Sequence, residues 1–126
     1  MGAAGVLWVL AYAVAGCVNA PNGTTCVAVH GTANSDPPEE LVLEIGNAAW
    51  LGFGGVVSVE TANTVPVRLV GRESCRVFAQ FAARPGSKTV IRFAADGSVR
   101  VEDLTAMDID AGPALPERQL SGCPAA

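Results

Sequence analysis

An all-β domain, a two-sheet sandwich behind an N-terminal signal segment, is what this sequence predicts, and three observations carry it. From residue 24 to residue 104, apolar and polar residues alternate in short runs, the period of strands with one buried face. Breakers bound each run, and 14 Gly and 8 Pro are too many for a helical bundle. Half of the residues are hydrophobic and 16% are charged, too apolar a mix for disorder. With 126 residues there is room for one domain. Eight Lys and Arg against twelve Asp and Glu give a net charge of -4. A surface of that sign repels phosphate backbones, so no nucleic-acid partner is expected.

Residues 2–16 are uncharged and mostly Ala, Val and Leu. The run is shorter than the ~20 apolar residues of a membrane-spanning helix and fits the apolar region of a secretory signal. It ends Val14-Ala15-Gly16-Cys17, which resembles the lipobox of bacterial lipoproteins: a branched apolar residue, two small residues and Cys. The resemblance implies that Cys17 is acylated with diacylglycerol, opens the mature chain and ties it to the bacterial cell membrane. Ala13-Val14-Ala15 is also an A-x-A site, so plain cleavage after Ala15 and secretion is the alternative, with an uncleaved anchor as a third. The organisation that follows is 1–16 signal, 17–23 polar tether, 24–104 sandwich and 105–126 aperiodic tail.

About seven strands are expected, over 24–30, 41–46, 55–61, 65–70, 74–82, 88–94 and 98–104. In the second, Leu41, Leu43 and Ile45 share a face. In the fourth, Val65, Val67 and Leu69 point inward, and Pro66, with no N–H to give, suggests a sheet edge or a bulge. The fifth turns Cys75, Val77, Ala79 and Phe81 inward. Between the last two, Asp96-Gly97 suggests a two-residue turn, but that register mixes core and surface on one face. A three-residue loop with Gly97 left-handed pairs Phe93 with Val99 and Ile91 with Val101, leaving Arg92 opposite Arg100 and Glu102 diagonal to Arg92. Short strands at this spacing make an antiparallel two-sheet sandwich. The order Cys26, Trp50, Cys75 resembles the immunoglobulin core, and the resemblance implies that architecture. Glu73 stands where that family has Tyr, and strand alternation turns Cys26 away from Val27 and Val29, so the family's disulfide is not carried over.

Candidate chemistry is sparse. His30 is the single histidine; Ser58, Ser74 or Ser87 could complete a nucleophilic set only on paper, without a nucleophile elbow. Within the acidic cluster Glu102, Asp103, Asp108 and Asp110, the run Asp108-x-Asp110-x-Gly112 starts like a calcium loop, but Gly112 stands at the third ligand position and Gln119 replaces the closing Glu. Asp36, Glu39 and Glu40 read as a solvated loop rather than a facing acid pair. Gly52-Phe53-Gly54-Gly55 lacks the Lys of a phosphate loop. No metal, cofactor or catalytic residue is therefore expected, and a small hydrolase is the remote alternative. The Gly-rich stretch holding Trp50, Leu51 and Phe53 either plugs one end of the sandwich or forms a binding loop for a protein or carbohydrate.

None of the four cysteines has metal-ligand spacing. A long aperiodic tail is costly to order unless tethered, so the expected bridge is Cys75–Cys123, with Cys26–Cys123 and Cys26–Cys75 as alternatives. Cys26 is then a spare thiol, or the partner of Cys17 if that residue escapes lipidation. The function expected is a non-enzymatic, extracytoplasmic binding or interaction module.

Overall fold

A computed structural model describes residues 10–11, 24–32, 36–104 and 112–124. The strands in chain order are β1 (Leu10–Ala11), β2 (Thr24–Gly31), β3 (Leu41–Ile45), β4 (Ala48–Leu51), β5 (Gly55–Glu60), β6 (Val65–Gly71), β7 (Val77–Ala83), β8 (Lys88–Phe93), β9 (Val99–Asp103) and β10 (Glu117–Arg118). They form two five-stranded sheets, ordered β1-β5-β2-β8-β9 and β10-β4-β3-β6-β7. The seven expected strands are β2, β3, β5, β6, β7, β8 and β9. The count is higher because three short strands escape a period-two reading. β1 falls within the expected signal segment, β4 within the Gly-rich stretch and β10 within the expected tail.

Alternation builds the core. Val27 and Val29 of β2, Val57 and Val59 of β5, and Ile91 and Phe93 of β8 face Leu41, Leu43 and Ile45 of β3 and Val65, Val67 and Leu69 of β6. These residues come from both sheets and pack as one cluster, which makes the molecule a sandwich. The two-layer architecture is the expected one. Its strand order is its own, and one pairing is parallel: β2 runs alongside β8, with Val27 opposite Thr89 and Val29 opposite Ile91.

The β8–β9 hairpin has the three-residue loop that core alternation demands. Phe93 pairs with Val99 and Ile91 with Val101, and Gly97 takes φ +86. The cost of Arg92 opposite Arg100 is offset by Glu102, which accepts from Arg92 Nε at 2.9 Å and pairs with Arg100 at 3.1 Å.

Two strand expectations are corrected. β6 is an interior strand despite Pro66. Its carbonyl accepts from Gly46 N at 2.9 Å, so the missing N–H faces the turn just past the end of β3, where one ladder bond is dispensable. In β7, a bulge falls between Leu69 and Val70 of the facing strand: Ala79 opposes Leu69, but Val77 opposes Val70. Phe78 is the extra residue. The shift turns Phe78 onto the core and Val77 onto the outer cluster of Val42, Ala49 and Val70. Cys75 consequently lies exposed in the turn before β7, at φ +59, rather than inward on a strand.

Candidate functional site

The most constructed part of the surface is where residues 112–124 lie against the body. This strap closes one end of the sandwich by touching both sheets. Val56 N donates to Pro113 O and Leu115 N to Val56 O, each at 2.9 Å, on the side of the first sheet. Two residues later β10 pairs with β4, Glu117 opposite Trp50, on the edge of the second. Leu115 is buried in the core between them. The approach at β5 is so close that a Cβ on Gly55 would lie 2.2 Å from Pro113 O; only glycine fits there.

The strap then crosses the outer face of the second sheet, held by a polar clasp. Arg68 Nε donates to Glu44 Oε1 at 2.5 Å, and these two side chains are mostly buried. The second oxygen of Glu44 accepts from Ser121 N at 2.7 Å and Ser121 Oγ at 2.8 Å. Arg68 gives its remaining arms to Cys123 O at 2.8 Å and Pro124 O at 2.9 Å. Burial alone raises the Glu44 carboxyl, but the Ser121 amide, the Arg68 guanidinium and the Ser121 hydroxyl together hold it below the usual carboxylate range. The Cys75–Cys123 disulfide, spanning 48 positions, fastens the end of the clasp. That is the expected bridge, reached through an exposed turn cysteine rather than a core-facing one.

Between strap and sheet lies an open groove of about 450 Å³ lined by Glu44, Pro66, Arg68, Gln80, Leu120 and Gly122. Leu120 is 50% exposed beside it. The groove thus sets apolar contacts from Leu120 and Pro66 next to a fixed ion pair, the mixture that recognises small polar-apolar ligands or peptide side chains. Sequence reading missed Glu44 and Arg68 as a pair. Their one local signal is that each interrupts an apolar run at an outward position.

Trp50 is 3% exposed and belongs to the core, while Leu51 and Phe53 are half-buried against it. The Phe53 ring meets Phe93 edge-on at 5.8 Å. The stretch is therefore a plug built on a hairpin: β3 and β4 are joined at Gly46-Asn47, a two-residue turn signal, and pairing fixes Trp50 opposite Leu43 on the inner face. As a binding loop, Trp50 has no face left to offer.

The remaining candidates are dispersed. His30 is half-buried at the end of β2. Ser74 Oγ donates to Glu39 at 2.5 Å, and Ser58 lies beside Cys26 Sγ at 3.9 Å. Glu39 also accepts from the amides of Glu73 and Ser74, and Glu40 pairs with Arg72, so these acids brace the β6–β7 turn. The Ser74 hydroxyl and amide hold the Glu39 carboxyl low. Asp108 and Asp110 lie outside the described residues, as does Cys17. Among the described residues no three His, Cys, Asp or Glu gather as metal ligands. Cys26 is buried on the outer face of the first sheet and is disulfide-bonded. No protein family, curated protein or solved structure matches the chain.

Proposed function

We propose that this chain is an exported, non-enzymatic β-sandwich module that binds a protein or carbohydrate partner at the bacterial cell membrane. The observation that carries the reading is the Cys75–Cys123 bridge closing the strap over the second sheet. Disulfides persist in oxidising, extracytoplasmic compartments, which agrees with an export signal over residues 2–16. The groove beside the clasp supports a binding role, since its ion pair is already positioned and its apolar rim is open. On this reading Val14-Ala15-Gly16-Cys17 directs lipidation of Cys17, and the module sits on the membrane through that lipid.

One observation favours a second reading, secretion without the anchor. Cys26 is disulfide-bonded, Cys75 and Cys123 account for each other, and the sequence offers one further cysteine, Cys17. A bridged Cys17 has no thiol to acylate, so the two fates exclude each other. Intact mass of the native, unreduced chain tests both: a diacylglyceryl adduct on Cys17 and partition into detergent is the outcome the anchored reading requires. A mature chain starting at Gly16, with two bridges and no lipid, overturns the anchor and leaves the secreted module. A chain retaining residues 1–16 in the cytoplasm overturns export altogether.

A further inference from the structure

The two long free edges of the sandwich are not equivalent. β7 ends the second sheet and β9 ends the first. β7 carries a bulge at Phe78, a distortion that twists an edge away from further pairing. β9 is regular along its whole length, and among the described residues it pairs only with β8.

Its hydrogen-bond phase is fixed by the ends of the hairpin. Ala94 N donates to Ser98 O at 2.9 Å and Leu104 N to Lys88 O at 2.8 Å. Alternation along an antiparallel ladder then sends the N–H and C=O of Arg100 and Glu102 toward β8, and those of Val99 and Val101 outward to the open edge. Val101 is also 44% exposed, one of two large apolar side chains left so open among the described residues.

Charge supplies the identity of the occupant. Arg100 and Glu102 flank Val101, one on each side, and both lie on the outer face with Arg92. Set a second β9 antiparallel to the first about a two-fold axis at Val101. Val101 then meets Val101 as a hydrogen-bonded pair, with two N–H···O bonds between the copies. Arg100 meets Glu102 of the second copy, and Glu102 meets its Arg100, both in the closer, non-hydrogen-bonded positions. Edges guarded against association carry Pro, bulges or charges that meet no complement. This one sets opposite charges on either side of an exposed apolar centre, with Asp103 beyond them falling opposite Val99 of the second copy.

We propose that β9 is a self-docking edge, through which two copies of the chain pair antiparallel about Val101 and join their first sheets into one. The occupant is a second copy because the charge pattern is complementary to itself in that register. A one-strand seam is small, so the dimer forms and dissociates with concentration rather than being permanent.

The test is sedimentation of the full, oxidised chain from about 1 μM to about 1 mM, the range in which so small an interface acts. The expected result is a mass that rises from one copy toward two. Arg100→Glu sets carboxylate against the second copy's Glu102 and weakens association by about tenfold or more. The reciprocal Glu102→Arg weakens it likewise, and the double exchange R100E/E102R restores it; because Glu102 also pairs with Arg92 inside the chain, the melting temperature of each variant is read beside its mass, so that lost association is told from lost folding. Val101→Pro is the second arm. It removes an N–H that points away from β8, so the ladder within the chain is untouched while the dimer is lost. A chain that stays monomeric throughout overturns the proposal. So does a dimer that survives Val101→Pro, or one that the double exchange fails to rescue although the variant melts like the parent.

Discussion

The β8–β9 hairpin and the C-terminal strap both hold chain against a sheet, and they do so by opposite means. The hairpin is held by a continuous backbone ladder whose partners are ten or so positions apart, with Ile91, Phe93 and Val99 directed to the core by alternation alone. The strap has a two-residue pairing at β10, one buried apolar anchor in Leu115, a polar clasp and a disulfide. Ser121 reaches back 77 positions to Glu44, and Cys123 reaches 48 to Cys75. Local pairing repeats a small stabilisation at every residue; long-range docking concentrates it in a few side chains. The strap should therefore be breakable by single substitutions that leave the hairpin intact.

The largest effect is expected at Trp50, which belongs to β4, the strand the strap pairs with, and turns its side chain into the core. Trp50→Ala removes a core side chain and should lower stability by about 3–5 kcal/mol, read as a fall in the melting temperature. Amide exchange should open first at Leu51 and Leu115. A change too small to measure would place Trp50 in solvent and return the Gly-rich stretch to the role of a binding loop. Removing the disulfide by Cys75→Ala with Cys123→Ala comes next, at about 2–4 kcal/mol. Exchange at Ser121 and at position 123 should accelerate while Arg100 and Glu102 keep their protection; equal acceleration in both regions would mean that the strap and the hairpin unfold as one unit.

This difference also explains what could be read from sequence. Period-two alternation found the seven longer strands, and at the β8–β9 turn it selected one register from two, because a slip moves every side chain to the wrong face. It failed at Phe78, where a single inserted residue reverses the phase and carries Val77 outward. It passed over β4 although Gly46-Asn47 marks the turn, since Trp50 and Phe53 in a Gly-rich run read equally well as a loop. The clasp was illegible for a different reason. Glu44 and Arg68 occupy outward positions where a charge is ordinary, and nothing local says that Ser121 returns to cover them. The disulfide was legible through the cost of ordering an aperiodic tail, even though the Cys75 side chain was assigned the wrong face.

The clasp should answer to pH. In the folded chain the Glu44 carboxyl is held below its ordinary value by Ser121 and Arg68. A group whose folded pKa is depressed contributes in full above the unfolded value, about 4.3 for Glu, and that contribution is lost as pH falls from there through the lower folded value. Exchange at Ser121 and Cys123, corrected for its intrinsic pH dependence, should therefore rise as the pH falls below about 5. The β8–β9 hairpin has carboxylates of its own held low, Glu102 by Arg92 and Asp96 by Ser98, so its acid response is read separately, in Glu102→Gln. Glu44→Gln should remove that pH step and cost about 1–2 kcal/mol, a value moderated by the clasp's position near solvent. A step that persists in the variant would assign it to another carboxylate.

The smallest effect is expected inside the hairpin, at Gly97. A Cβ there meets nothing within 4 Å, so no contact opposes a substitution; the obstacle is φ +86, which an L residue adopts only under strain. Gly97→Ala should cost about 1 kcal/mol, and Gly97→Asn less, since Asn tolerates the left-handed region through local hydrogen bonding. Because the register is set by the core alternation of Ile91, Phe93 and Val99, both variants should keep Phe93 opposite Val99, visible as an unchanged cross-strand contact between those residues by NMR. If Gly97→Ala instead shifted the pairing by one residue, the loop would be dictating the register to the strands. The hairpin would then depend on one residue as sharply as the strap depends on Cys123.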